Sequence, residues 1–186
     1  MKLLNKERIQ EDFLKLFPKG KFSFWKEIDS TQEAAANFPF DVPFLALAEK
    51  QREGIGRRER RWVSPVGGLW FTLSLPVKYV RRKKSISVLV GLAVKQALKK
   101  NLGLELKVKF PNDLLYNSMK LAGILVTAAR FGKEIKKINI GVGMNVNNRA
   151  PLKTSVSLKE IMNKTMDAEE VLKIILTGIK EEICVK

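Results

Sequence analysis

Two long apolar runs, 120–131 and 135–146, are separated by little more than the turn pair Gly132-Lys133. Runs of this length, rich in residues that favour strands and joined by a glycine turn, read as a β-hairpin. A hairpin alone is marginal in water, so it must bury a face against further strands or helices. Shorter strand patterns supply partners at 22–28, 44–50, 106–110 and 114–116, the last followed by an Asn117-Ser118 turn. Leu69, Phe71, Leu73 and Leu75 alternate with Trp70, Thr72 and Ser74, which predicts a half-buried strand stopped by Pro76.

Helical spacing fills the gaps. Asn5 precedes Ile9, Phe13, Leu14 and Phe17, an amphipathic helix closed by Pro18 and Gly20. Ile86, Leu89, Val90, Ala93, Val94, Ala97 and Leu98 hold one apolar stripe over three turns, and Gly103 can end it. Ser30 with Glu33, and Asp167 with Glu170, have capping-box spacing. The first opens an alanine-rich helix, and the second caps a final helix with Val171, Leu172, Ile175, Leu176 and Ile179 on its apolar face. Asn145, Asn147 and Asn148 lead into a loop containing Pro151. The expectation is a single α+β domain over 1–186: a mainly antiparallel mixed sheet with helices packed on one face.

Composition narrows the chemistry. The chain has no histidine and one cysteine, Cys184, which excludes Ser-His and Cys-His catalysis, a disulfide framework and a zinc cluster. Its 35 Lys and Arg against 19 Asp and Glu give a net charge of +16. Such an excess suits an acidic partner, although lysine-rich surfaces also occur in heat-stable proteins. Lys78, Arg81, Arg82, Lys83 and Lys84 read as a solvated basic turn. The N-terminus carries no signal-peptide core and no run reaches membrane-spanning length, so a cytoplasmic location without membrane contact is expected.

The functional signal is concentrated between 46 and 65, where an apolar strand enters a loop with Gly54, Gly56 and five arginines, then Trp62 and Ser64-Pro65. The glycines let backbone N–H groups turn toward a ligand, and arginine forks bind phosphate or carboxylate oxygens. The same residues also fit a flexible basic surface loop. Ser30 and Thr31 place two hydroxyls at a strand-to-helix junction, where they either start the helix or hold a polar head group. In Lys109-Phe110-Pro111-Asn112-Asp113 the proline fixes a turn, Asn112 can bond a phosphate or base edge, and Asp113 can orient a cation or a lysine. Lys120 enters an apolar strand whose Ala122 and Gly123 leave room for a ligand. Gly141-Val142-Gly143-Met144-Asn145 is not the dinucleotide fingerprint, and no Walker-type loop is present.

These pieces in this order resemble the biotin protein ligase family, the biotin–[acetyl-CoA-carboxylase] ligases, over about residues 22 to 148. The resemblance implies a class II synthetase-like catalytic fold and two half-reactions. Biotin and ATP give biotinyl-5′-AMP and pyrophosphate, and a lysine of a biotin carboxyl carrier protein then takes the biotinyl group. It implies Arg57 and Lys120 as the cations that neutralise carboxylate and phosphoryl oxygens, with Mg²⁺ shared by the phosphates and Asp113 placing the metal or the incoming amine. Ser30, Thr31 and Gln51 would bond the biotin head, and the backbone of Gly54, Ile55, Gly56 and Gly123 would line its pocket. Arg58, Arg60, Trp62, Asn112 and Asn145 would face ATP.

Departures from the family pattern are specific. Ile55 stands for an arginine, Glu59 for a glycine, Gln32 where asparagine is frequent and Thr127 where an acid is frequent. The length is expected to leave no room for an N-terminal DNA-binding domain or a small C-terminal barrel. A lipoate or octanoate transferase-type relative is the nearest alternative, and a non-enzymatic nucleic-acid binder is the alternative from another class. A homodimer is left open.

Overall fold

The computed structural model of the protein describes residues 4–39, 41–81 and 86–185. The described residues form seven strands: β1 (Lys21–Trp25), β2 (Phe44–Ala48), β3 (Leu69–Pro76), β4 (Lys107–Lys109), β5 (Asp113–Tyr116), β6 (Met119–Phe131) and β7 (Glu134–Met144). They make one sheet in the order β1-β2-β3-β7-β6-β5-β4. Only β1 and β2 run parallel; every other pair is antiparallel. The α+β class with a mainly antiparallel sheet is therefore as the sequence predicts. The β6–β7 hairpin pairs from Ala122 with Met144 to Phe131 with Glu134 and forms the spine of that sheet.

Helices α1 (Lys6–Leu16), α3 (Ile86–Leu102) and α5 (Ala168–Ile183) cover one face. Phe13, Val90, Val94, Leu98, Leu172 and Ile175 meet Leu45, Leu47, Phe71, Leu73, Ile124 and Ile140 in one continuous core. A short helix, α2 (Thr31–Asn37), lies on the opposite face, where Ala35 packs on Phe44 and Ala46. This explains a misread strand. β3 is buried along its whole length, not half-buried, because Trp70, Thr72 and Ser74 lie beneath α2 and the site loops. The strands expected at 22–28 and 44–50 end early, at Trp25 and Ala48, because the chain there leaves the sheet to build the site.

Caps account for the helix limits. Asn5 accepts from Arg8 N–H, and Asp167 accepts from the N–H groups of Glu169 and Glu170. Ser30 caps α2 by accepting from Gln32 N–H. The reciprocal capping box occurs instead at Ser157 and Glu160, which open the short helix α4 (Leu158–Met162) inside what reads from sequence as loop. Gly103 follows α3 at φ +68, the left-handed turn that favours glycine. Of the basic turn, Lys78 and Arg81 are exposed, while Arg82, Lys83 and Lys84 lie outside the described residues.

Lys137 is fully buried on the α2 side of the sheet. Its ammonium donates to Ala35 O at 2.6 Å and to Phe38 O, so it sits on the carbonyl end of α2. Burial pushes its pKa below the ordinary lysine value, and the carbonyls and helix dipole act against that by favouring the charged form. Lys137→Met should cost about 1–3 kcal/mol, because one buried and one partly buried carbonyl lose a donor. Thermal denaturation checks this, and an unchanged melting temperature would contradict it.

Candidate active site

On the sheet face that carries α2, the side chains at the middle of the sheet are missing. Gly141 and Gly143 on β7 and Gly123 on β6 sit on that face, with Thr72 and Asp113 on adjacent strands. A Cβ at Gly143 would lie 2.4 Å from the Trp62 indole nitrogen, and one at Gly123 would lie 2.9 Å from the same ring. The bare strip is the floor of a cavity of about 430 Å³. Volumes of this order suit a small organic ligand.

Four segments raise its walls. The chain from 51 to 64 folds back on itself: Gln51 N donates to Ser64 O, Trp62 N to Gly54 O and Gly56 N to Arg60 O. A tight turn over Arg57–Glu59 forms the tip. This corrects two expectations. The Gly56 N–H is spent on Arg60 O and does not point to a ligand. Gly54 is not among the lining residues; a Cβ there would lie 2.5 Å from Trp62 O, so its glycine serves closure of the hairpin. Ile55 and Gly56 do line the cavity.

The arginines divide by task. Arg52 turns away to bond Asp29 at 2.6 Å, a pairing that holds the Asp29 carboxyl below its ordinary range. Arg57, Arg58, Arg60 and Arg61 line the cavity with Lys120, whereas among the described residues Asp113 is the one carboxylate there. Among the described residues, no carboxylate lies within ion-pair range of Arg57, Arg58 or Arg60. Lys120 pairs with Asp113 Oδ1 at 2.8 Å and sits 4.7 Å from the centre of the Trp62 ring. Trp62 Nε1 is buried and, among the described residues, has no hydrogen-bond partner. Such a donor is costly unless something accepts from it.

Arg58 and Glu59 both have positive φ, 55° and 60°. An L-residue in that region costs about 1–2 kcal/mol, which is why glycine is the usual choice. Glu59→Gly should relieve about 1 kcal/mol of this and remove a negative charge beside three arginines. The melting temperature should then rise by about 2–4 °C. A lower melting temperature would contradict this account of the loop.

The far end of the cavity is held by a row of hydrogen bonds. Gln51 Nε2 donates to Ser64 Oγ at 2.8 Å, and Gln51 Oε1 accepts from Thr31 N at 2.9 Å. The backbone donor fixes which way this amide faces. Thr31 Oγ1 lies 3.0 Å from Thr72 Oγ1, and Thr72 donates to Gln32 Oε1 at 2.9 Å. Gln32 Nε2 then donates to Thr127 Oγ1 at 3.0 Å. Sequence reasoning gave Thr72 no place in the site and Ser64 no role of its own. The buried hydroxyl of Thr72, alternating with leucines on β3, was the available signal.

Of the remaining residues expected in the site, Ser30, Asn112 and Asn145 also line the cavity. Asn145 is 2% exposed and its amide is engaged in structure: it donates to Val156 O and accepts from Asn148. Asn147 likewise exchanges hydrogen bonds with the Met166 backbone. The asparagines tie down the segment that brings Pro151, Leu152 and Ser155 to the rim.

A sheet with a glycine floor, a cationic rim and a polar end wall defines an anion-accepting ligand cleft. The sequence profile of the biotin/lipoate A/B protein ligase family matches residues 25–145, and the chain belongs to that family. It is 34% identical over 128 residues to the bifunctional ligase/repressor BirA of Bacillus spizizenii, covering 66% of this chain and 39% of that protein. It is 37% identical over 103 residues to the biotin–[acetyl-CoA-carboxylase] ligase of Paracoccus denitrificans, covering 54% of this chain and 43% of that protein. The biotin protein ligase of Aquifex aeolicus, solved in complex with biotin and ATP, superposes with a TM-score of 0.77 at 31% identity. That match covers 87% of this chain and 69% of the other. The chain thus spans about two fifths of the length of these curated relatives.

Proposed function

We propose that the protein is an ATP-dependent biotin protein ligase that forms biotinyl-5′-AMP and then biotinylates a carrier-protein lysine. The observation that carries the reading is the meeting of Arg57, Lys120 and the glycine strip in one cavity, although they come from separated segments. Two anions must approach there. In the first step a biotin carboxylate oxygen attacks the α-phosphorus of ATP, and the bond to the pyrophosphate oxygen breaks. Cations aimed at the charge developing on the phosphoryl oxygens supply the largest stabilisation. Arg57 and Lys120 take that role, with Arg58 and Arg60 on the outer phosphates and Trp62 over the nucleotide side. The carboxylate is already a nucleophile, so the absence of histidine costs nothing. In the second step the carrier amine attacks the acyl carbon and AMP leaves.

Mg²⁺ fits the donor set. Asp113 Oδ1 is buried with no aligned hydrogen bond, and among the described residues no cluster of three His, Cys, Asp or Glu forms. A dication drawing most of its oxygens from phosphates and water, with one carboxylate, matches that inventory. It would supply further neutralisation of the phosphates. Asp113 would hold it, which requires Lys120 to leave the carboxylate for the substrate.

The polar end wall favours biotin over lipoate. A cyclic urea offers both donors and an acceptor to Ser30, Thr31 and Gln51, whereas a dithiolane ring offers none. Among the described residues no helix is long and apolar enough to cross a membrane. A cytoplasmic location goes with this reading. The test offers radiolabelled biotin or lipoate with ATP–Mg²⁺ and a biotin carrier domain. Label on the carrier from biotin supports the proposal; label from lipoate alone overturns it.

A further inference from the structure

Gln32 lies across the sheet in a way its helix position does not require. Its Oε1 accepts from Thr72 on β3, its Nε2 donates to Thr127 on β6, and between them it passes over Gly141 on β7. A Cβ on Gly141 would lie 2.7 Å from Gln32 Oε1, so the amide rests directly on the glycine. The cavity stops there. Thr72, Gly141 and Leu125 line it, whereas Ser74, Asn139 and Thr127, the next residues on the same face, do not. Ser74 and Asn139 are buried and paired with each other at 2.7 Å, and Thr127 faces solvent.

Resting on the biotin ligase reading, we propose that Gln32 is the end wall of the head-group pocket and sets the size of bicyclic head that it admits. The mechanism is steric. Both ends of the amide are held by hydroxyls on flanking strands, so the wall cannot swing away without breaking two hydrogen bonds. An asparagine, the residue frequent at this position in the resemblance, is one methylene shorter and would reach less far over Gly141.

The test compares adenylate formation from biotin with that from biotin sulfone, whose ring sulfur carries two added oxygens, in the wild type, Gln32→Ala and Gln32→Met. Gln32→Ala removes the wall, and its kcat/KM ratio for sulfone over biotin should rise at least about tenfold, the scale of discrimination by small groups in a pocket. Gln32→Met keeps the bulk but frees it to move, and its ratio should lie between those of the wild type and Gln32→Ala. An unchanged ratio in Gln32→Ala overturns the inference, as does the same rise in both variants, which would make the hydrogen bonds and not the wall decisive. A wild-type protein that adenylates neither compound overturns the ligase reading itself, and the inference with it. Circular dichroism of each variant establishes that it is folded, and Gln32→Asn, with a smaller expected rise, replaces any variant that is not.

Discussion

Lys120→Ala is expected to slow formation of the acyl adenylate by about 10²–10³-fold, the loss typical of removing one preorganised charge stabiliser. The structure explains why one side chain has that effect. Lys120 opens β6 beside the glycine floor, where its backbone is held by Thr154 O and Val156 N. Its ammonium reaches Asp113 and the Trp62 ring at once. Without it, carboxylate and phosphate would meet with only the loop arginines beside them. Stability should fall by about 1–3 kcal/mol, because the buried Asp113 Oδ1 loses its charged partner. Quenched-flow detection of the adenylate together with a melting curve separates the two effects. Near wild-type adenylation in a folded variant would remove Lys120 from the chemistry.

Gly143→Val should abolish ligand binding while leaving the sheet intact. The new side chain would point away from the helical core into the cavity, and valine suits a strand. Its Cβ alone would meet the Trp62 indole nitrogen at 2.4 Å and a ring carbon at 2.7 Å. Trp62 would have to leave the floor, and the added methyl groups would occupy the strip on which a ligand lies. Biotin affinity should fall by at least about 100-fold, close to 3 kcal/mol. The far-ultraviolet spectrum should not change. Ordinary affinity in this variant would show that the glycine strip is not the floor of the binding site.

The fold was largely legible because its strongest signals are local. The length of the β6–β7 hairpin, the apolar stripe of α3 and the caps at Asn5 and Asp167 each follow from residues close together in the chain. What escaped depended on neighbours far away. β3 reads as half-buried from its alternation, and nothing in Leu69 to Pro76 says that α2 and the site loops will cover its polar side. The Ser157–Glu160 box lies in a stretch that reads as loop from its asparagines and Pro151. In the site, the residues of the cationic rim were marked by type. Thr31 and Gln51 were marked by the resemblance, but the row that joins them to Ser64, Thr72, Gln32 and Thr127 was not, since its members lie far apart in the chain. Gly54 shows the converse: a glycine that looks made for a ligand is instead required where Trp62 O passes close by.

Isotope exchange from labelled pyrophosphate into ATP tests the central claim most directly, because it reports the meeting of two anionic reactants without any carrier protein. The wild-type protein with Mg²⁺ should exchange label only when biotin is present, and Lys120→Ala should reduce that exchange toward background. Exchange that ignores biotin, or that lipoate alone supports, would contradict the account.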